Sequence, residues 1–140
     1  PLFLRKREVE MRPVEIHDYA NPKKSSPYRN TWIRPDGVMP DDEKIQQAFL
    51  LYISDMGLLA AANNAHGMNF LTKNLQVASL DHAMWFHQKL DFNDWVLYAI
   101  DSPYSGNSRG FCKGSIYSRD GKLIASCTQE GLMRLWPEDK

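Results

Sequence analysis

Cysteine is scarce in this chain of 140 residues: Cys112 and Cys127 are the only two, and they form neither a CxxC pair nor a zinc-ligand spacing. A disulfide framework is therefore not what holds the fold together, and a reduced pair is the expectation. An excess charge of one sign is also missing. Seventeen Lys and Arg balance seventeen Asp and Glu, so no global field draws the chain to nucleic acid or to an anionic membrane. Small basic clusters at Arg5-Lys6-Arg7, at Lys23-Lys24 and at Arg109 with Lys113 read first as solvated surface and only second as phosphate contacts. No apolar run can span a bilayer, because the longest, from about Phe49 to Ala62, is broken by Ser54 and Asp55. No signal-peptide pattern opens the chain. It begins at Pro1 in a charged segment, which implies a piece of a longer polypeptide. No linker-like stretch divides it, so residues 1–140 are expected to form a single domain.

What is present is an ordinary globular composition with a change of period along its length. Val9 to Ile16 alternates as a strand, with Pro13 favouring a sheet edge or bulge. Tyr28 to Arg34 is a second strand, closed by the turn Pro35-Asp36-Gly37. Pro40-Asp41-Asp42-Glu43 then supplies an N-cap and first-turn acids. After it Ile45, Phe49, Tyr52, Met56 and Leu59 recur at steps of three and four, which predicts one long helix with those residues on its apolar face. From Leu75 the period becomes two. Strands are expected over Leu75 to Gln88, Trp95 to Pro103, Arg109 to Ser118 and Lys122 to Leu135. Trp85, Phe86, Phe92, Trp95 and Tyr98 are expected in the core.

Asp120-Gly121 is a two-residue type I′ hairpin signal. Pairing outward from it sets Gly110 against Gly131, Cys112 against Gln129, Gly114 against Cys127 and Ile116 against Ala125. Opposed residues share a sheet face, so that face is small and mostly apolar, and a helix can approach it closely. Gln129 is the one fully polar side chain there, and a buried amide needs partners. The expected architecture is α+β: an antiparallel sheet wrapped around one long helix.

Three residues carry the chemical expectation. Asp55 lies late in the helix, Ser79 in the first long strand after it, and Gln129 on the helix-facing side of the last strand. Taken singly, each has an ordinary reading: a solvated helix-end acid, a strand serine, a satisfied core amide. Together they can hold one water against a carbonyl carbon, with Asp55 as general base and Ser79 and Gln129 fixing the direction of attack. Asp81 shares Ser79's face in an unbroken strand and would support it from behind. His82 would point to the opposite face and is expected to be structural. His82 and His87 fall on opposite faces, which argues against a metal site, and neither cysteine has a base beside it for nucleophilic work. No metal and no cofactor is expected. A hydratase-type reading, which needs a His near the helix, is disfavoured because Asp41 to Asp55 contains none.

These residues sit inside recognisable motifs. Met11-Arg12-Pro13-Val14-Glu15, Trp32-Ile33-Arg34, Pro40-Asp41-Asp42 and Tyr52-Ile53-Ser54-Asp55 are followed by Ser79-Leu80-Asp81-His82-Ala83-Met84-Trp85-Phe86-His87. Ser108-Arg109-Gly110-Phe111 and Gln129-Glu130-Gly131-Leu132-Met133-Arg134 complete the set. In that order, over nearly the whole chain, they resemble the C-terminal half of the acyl-CoA thioesterase II (TesB-like) family. The resemblance implies a hotdog fold, a double-hotdog parent of which this is the second unit, and hydrolysis of fatty acyl-CoA to free acid and CoA without a metal or a covalent intermediate being required. It places the family's catalytic aspartate on Asp55, its glutamine on Gln129 and its hydroxyl on Ser79, where some members carry threonine. The implied partners are an acyl-CoA substrate and a second hotdog unit, either the other half of the same protein or another copy. Nucleic acid and membrane are not among them. A non-catalytic half that binds acyl-CoA or completes an interface is the alternative. The ending Pro137-Glu138-Asp139-Lys140 is not a peroxisomal SKL-like tripeptide, so bacterial cytoplasm is favoured, with the peroxisome the expectation for a eukaryotic source.

Overall fold

The computed structural model describes residues 8–89 and 94–137; the Arg5-Lys6-Arg7 cluster and Phe92 lie outside these residues. Strands β1 (Val9–Pro13) and β2 (Tyr28–Pro35) come first, then helices α1 (Glu43–Ser54) and α2 (Ala60–Asn64). Strands β3 (Leu75–Ser79), β4 (Ala83–Phe86), β5 (Val96–Gly106), β6 (Arg109–Ser118) and β7 (Leu123–Leu135) complete the chain. The strands form one antiparallel sheet in the order β1-β2-β5-β6-β7-β3, with β4 also paired to β7. Pro13 closes the edge strand, where its missing N–H costs no ladder bond. The strand ends at Pro13 rather than at the expected Ile16, and Val14 and Ile16 are 54% and 99% exposed.

Asp42 caps α1 as the local sequence predicts, its Oδ1 accepting from the N–H groups of Lys44 at 2.9 Å and Ile45 at 3.3 Å. The helix does not run on to Leu59. It ends at Ser54, with Asp55 as C-cap and Gly57 at φ +74°, a left-handed conformation that glycine adopts without steric cost. The short α2 follows. The buried side of α1 is Gln46, Leu50, Ile53 and Ser54, whereas Ile45, Leu51 and Tyr52 are 47%, 48% and 55% exposed. Of the residues expected on the apolar face, Leu59 is buried and Phe49 and Met56 pack against the core, while Ile45 and Tyr52 face outward.

The small sheet face is where the helical segment docks. Gly110 pairs Gly131, Cys112 pairs Gln129, Gly114 pairs Cys127 and Ile116 pairs Ala125, the register expected from the sequence. A methyl on Gly131 would meet the Leu59 side chain at 2.2 Å, and one on Gly110 would lie 2.7 Å from Cβ of Ala62. The bare backbone at both positions lets Leu59 and α2 lie directly on the strands. Above Gly114 the buried ring of Tyr98 fills the same kind of space.

The hairpin that sets this register is not built as expected. Gly121 is the left-handed residue at φ +86°, its N–H bonds the carbonyl of Ser118 at 2.9 Å, and Ser118 pairs Lys122. That is a three-residue type I turn with a glycine bulge. The register then slips between Ile116 and Tyr117, so consecutive Ile124 and Ala125 are both buried and the two offsets cancel. The I′ geometry occurs instead at Asn107-Ser108, both at positive φ, between paired Gly106 and Arg109. Trp85 and Phe86, at 51% and 40% exposure, are not core residues. Trp95 carries the guanidinium groups of Arg12 and Arg34 over its ring, 4.6 and 4.8 Å from the ring centre. Among the expected aromatics that lie in the described residues, only Tyr98 is fully enclosed.

Gly110→Ala sets a methyl against Ala62, which cannot move without its helix. It should cost about 1–3 kcal/mol of stability, seen as a lower urea midpoint with an unchanged slope; an unchanged midpoint would show that α2 does not rest on this strand.

Candidate functional site

Asp55, Ser79 and Gln129 come from three separate elements and meet in one hydrogen-bonded chain. Ser79 Oγ donates to Asp55 Oδ1 at 3.2 Å, and Gln129 Nε2 donates to Ser79 Oγ at 2.9 Å. Asp55 and Ser79 are exposed, while Gln129 is only 1% exposed. They line a cleft of about 470 Å³ together with Gly57, Leu59 and Ala60.

Each position has a local cause. Asp55 is the C-cap of α1, which carries no basic residue in its last turn. A carboxylate at the negative end of a helix dipole opposes that dipole, so helix stability does not explain an acid here. Tyr98 holds this helix end: its hydroxyl donates to the Ser54 carbonyl at 2.5 Å and lies 3.2 Å from Cys127 Sγ. Burial pushes the Tyr98 hydroxyl and the thiols of Cys112 and Cys127 above their ordinary pKa values, so these groups stay neutral and serve packing. Ser79 is the last residue of β3, opposite Gly131. Gln129 stands two residues earlier on β7, on the same inner face.

The chain continues through a residue that strand alternation had assigned to the far side. His82 Nδ1 lies 2.5 Å from Gln129 Oε1, and His82 Nε2 lies 2.8 Å from Ser54 Oγ. The expected single strand from Leu75 to Gln88 is in fact two. Ser79 pairs Gly131, but Ala83 pairs Thr128, so the register slips by one across Leu80 to His82. A slip of one residue exchanges faces, and it brings His82 inward to join Ser79. The same slip changes Asp81's part. Its Oδ1 accepts from the Glu130 N–H at 2.6 Å, while both Leu80 N–H and Asp81 N–H point to the Glu130 carbonyl. Asp81 therefore clamps β7 one residue beyond Gln129 and does not touch Ser79. The signal for His82 would have been Asp81 itself, a short acceptor side chain where a ladder carbonyl goes missing.

Proton counting sets the polarity of the chain from Asp55 to His82. An ionised carboxylate only accepts, so Ser79 spends its one proton on Asp55 and must accept from Gln129. Gln129 then turns its NH₂ to Ser79 and its oxygen to His82, which must carry its proton on Nδ1. At the far end the single Ser54 hydroxyl proton has two acceptors within 2.8 Å, the Leu51 carbonyl and His82 Nε2. A histidine thus does reach α1, from the sheet. Its partners are an amide and a hydroxyl rather than an acid, so it lacks the His–carboxylate pairing a hydratase would use. His66 and His87 also pair with serines, Ser105 at 2.7 Å and Ser126 at 3.0 Å, on exposed ground away from this chain. Among the described residues no cluster of His, Cys, Asp and Glu has the makings of a metal site, and no helix is long and apolar enough to cross a membrane.

Comparison with known proteins agrees with this architecture. The acyl-CoA thioesterase family model matches residues 1–132, and the chain belongs to that family. It is 39% identical over 132 residues to acyl-CoA thioesterase 2 of Haemophilus influenzae, covering 94% of this chain and 46% of that protein. The crystal structure of acyl-CoA thioesterase II TesB2 from Mycobacterium marinum superposes with a TM-score of 0.78 at 36% identity, over 94% of this chain and 50% of that one. A hot dog fold protein of unknown function from Alicyclobacillus acidocaldarius matches at a TM-score of 0.67 and 16% identity, over 93% of this chain and 46% of that one, which speaks to the fold alone. The fold is the hotdog, and the chain spans about half the length of the relatives it matches.

His82→Ala should strand the buried Gln129 oxygen, at a cost of about 1–3 kcal/mol. Chemical denaturation measures this, and His82→Gln, which can still offer an N–H, should recover part of the loss.

Proposed function

We propose that this chain hydrolyses fatty acyl-CoA thioesters with a water held by Asp55, Ser79 and Gln129. The observation that carries the reading is the junction of a helix-end carboxylate, a strand hydroxyl and a buried amide in one chain of hydrogen bonds, within a member of a thioesterase family. Ser79 occupies one Asp55 oxygen and leaves the other open to a water. Gln129 has a second N–H to offer, and Ser79 Oγ a second lone pair. A water that donates to Asp55 and to Ser79, and accepts from Gln129, has a lone pair left to aim. Its oxygen bonds to the thioester carbonyl carbon as Asp55 takes its proton. The tetrahedral intermediate then breaks its C–S bond. CoA leaves as thiolate and takes up the proton, giving free acid and CoA.

His82 is a positioning residue in this scheme, since it holds the oxygen end of the Gln129 amide whose orientation Asp55 and Ser79 set. Asp81 acts at one further remove, through the β7 backbone. The partner is a second hotdog unit, as the other half of one polypeptide or as another copy. What supports it is the half-length match to relatives and the apolar surface beside the site: Leu51 and Tyr52 on α1, with Val77, Leu80, Trp85 and Phe86 on the open β3–β4 edge. A second unit on that edge would also draw Asp55 and Ser79 out of bulk water. The same surface favours the second reading, an interface-completing half that binds acyl-CoA without turning it over.

Asp55→Asn and Gln129→Ala should each lower acyl-CoA turnover by about 10²–10⁴-fold with near-UV circular dichroism unchanged, while Ser79→Thr keeps most activity. Thiol release is the readout. Normal turnover by either of the first two variants would refute the assignment, and tight acyl-CoA binding by wild type without thiol release would select the second reading.

A further inference from the structure

The inner end of the hydrogen-bonded chain is short of one proton. Ser54 has a single hydroxyl proton and two acceptors at 2.8 Å, the Leu51 carbonyl and His82 Nε2. In a helix that ran on, the Asp55 N–H would bond the Leu51 carbonyl, but that N–H turns to Ile53 instead, and the Ser54 hydroxyl takes its place. If Ser54 gives its proton to Leu51, two lone pairs face each other between Ser54 Oγ and a bare Nε2. If it gives the proton to His82, the carbonyl loses its partner. A second proton on the imidazole removes the conflict. Nδ1–H then bonds Gln129 Oε1 at 2.5 Å, Nε2–H bonds Ser54 Oγ at 2.8 Å, and Ser54 donates to Leu51. Each group in the run has a partner without any heavy atom moving.

Charge points the same way. The C-terminus of α1 is the negative end of its dipole, its last turn has no basic residue, and Asp55 adds a carboxylate there. The titratable groups around the imidazole are Asp55 from α1, Tyr98 from β5, Cys112 from β6, Cys127 and Glu130 from β7, and its neighbour Asp81. Burial keeps Tyr98 and both thiols neutral. Glu130 is paired with Arg109 at 2.9 Å. Among the described residues no ion pair engages Asp55 or Asp81. Two carboxylates and a helix end, all negative, thus surround the Ser54–His82 contact, and His82 is the side chain in that contact able to turn positive.

We propose that His82 carries a proton on both ring nitrogens, and that this imidazolium is the cation of the α1 C-terminus, polarising Gln129 toward Ser79 and the attacking water. A hydrogen bond from a charged donor is the stronger kind, and it draws electrons from the Gln129 oxygen, which makes the amide N–H groups better donors. The effect on turnover rests on the hydrolytic reading of Asp55, Ser79 and Gln129; the charge on His82 does not.

Nitrogen-15 NMR of the histidine rings in the full chain reads both nitrogens directly, with His82→Gln assigning the signals among the four histidines. At about pH 7, where an ordinary imidazole is mostly neutral, both His82 nitrogens should resonate as protonated. One bare nitrogen would overturn the proposal. Ser54→Ala removes the acceptor of Nε2–H, and the second proton should be lost at the same pH. Asp55→Asn removes the charge at nearly constant size and should have the same effect, which keeps the comparison decisive if Ser54→Ala does not fold. Signals unmoved in a folded variant would overturn the assigned cause. As pH rises and the spectra show the second proton leaving, kcat/KM should fall by about tenfold, and His82→Gln should lack this alkaline limb. A limb that persists in His82→Gln would overturn the link to the trio. Two protonated nitrogens with no thiol release from any acyl-CoA would discard the hydrolytic reading and leave the imidazolium standing.

Discussion

The close approach of the helical segment to the sheet governs where everything else can be. Gly110 and Gly131, side by side on β6 and β7, leave room for Ala62 and Leu59 to lie against bare backbone. Side chains of ordinary size there would lift α2 off the strands, because interiors are packed too tightly to absorb extra methyl groups. With α2 seated, the turn from Asp55 to Leu59 must lie over β7, and the left-handed Gly57 makes that turn sharp enough. The carboxylate at the end of α1 is thereby delivered to the edge of the sheet where Ser79 ends β3. A catalytic-type arrangement follows from a packing condition several residues away from it.

A second constraint, in the sheet rather than the helix, decides what surrounds the carboxylate. The slip of one residue between β3 and β4 against β7 costs ladder bonds at Leu80 to His82, and Asp81 restores one by accepting from the Glu130 N–H. The return is that two residues of opposite parity, Ser79 and His82, face the same way and bracket Gln129. Its amide is then satisfied at both ends, which a nearly fully buried amide requires. From Asp55 to His82 the chain has one consistent direction of donation. A site whose hydrogen-bond polarity is dictated from the carboxylate end is organised before any substrate arrives, and preorganisation is what lets fixed groups stabilise a reaction without rearranging.

Exposure separates the two ends of this site. Gln129 and Ser54 belong to the core, while Asp55 and Ser79 stand in the open beside an unpaired strand edge and an apolar helix stripe. Long exposed edges with apolar side chains are usually covered in the working form of a protein. The stripe of Ile45, Leu51 and Tyr52 that turned away from the sheet is thus informative as well. It is the part of the helical pattern left over once the Gln46, Leu50 and Ile53 stripe has been used for folding.

Residue types and their order were enough to determine the α+β class, a helix N-cap within Pro40-Asp41-Asp42-Glu43, the pairing of Gly110 through Ile116 with Ala125 through Gly131, and that Asp55, Ser79 and Gln129 would lie together. Each of these depends on local propensity, on strand alternation or on a motif, all of which are written along the chain. Tertiary packing alone decided that the helix breaks at Gly57, which of its apolar residues are buried, that the Asp120-Gly121 hairpin carries a bulge, and that His82 rather than Asp81 enters the hydrogen-bonded chain. The physical reason is common to all four. Alternation and helical period assign faces only while an element is unbroken, and one bulge or one left-handed residue inverts the assignment for everything beyond it. Whether the chain accepts such a break depends on contacts made by residues distant in sequence.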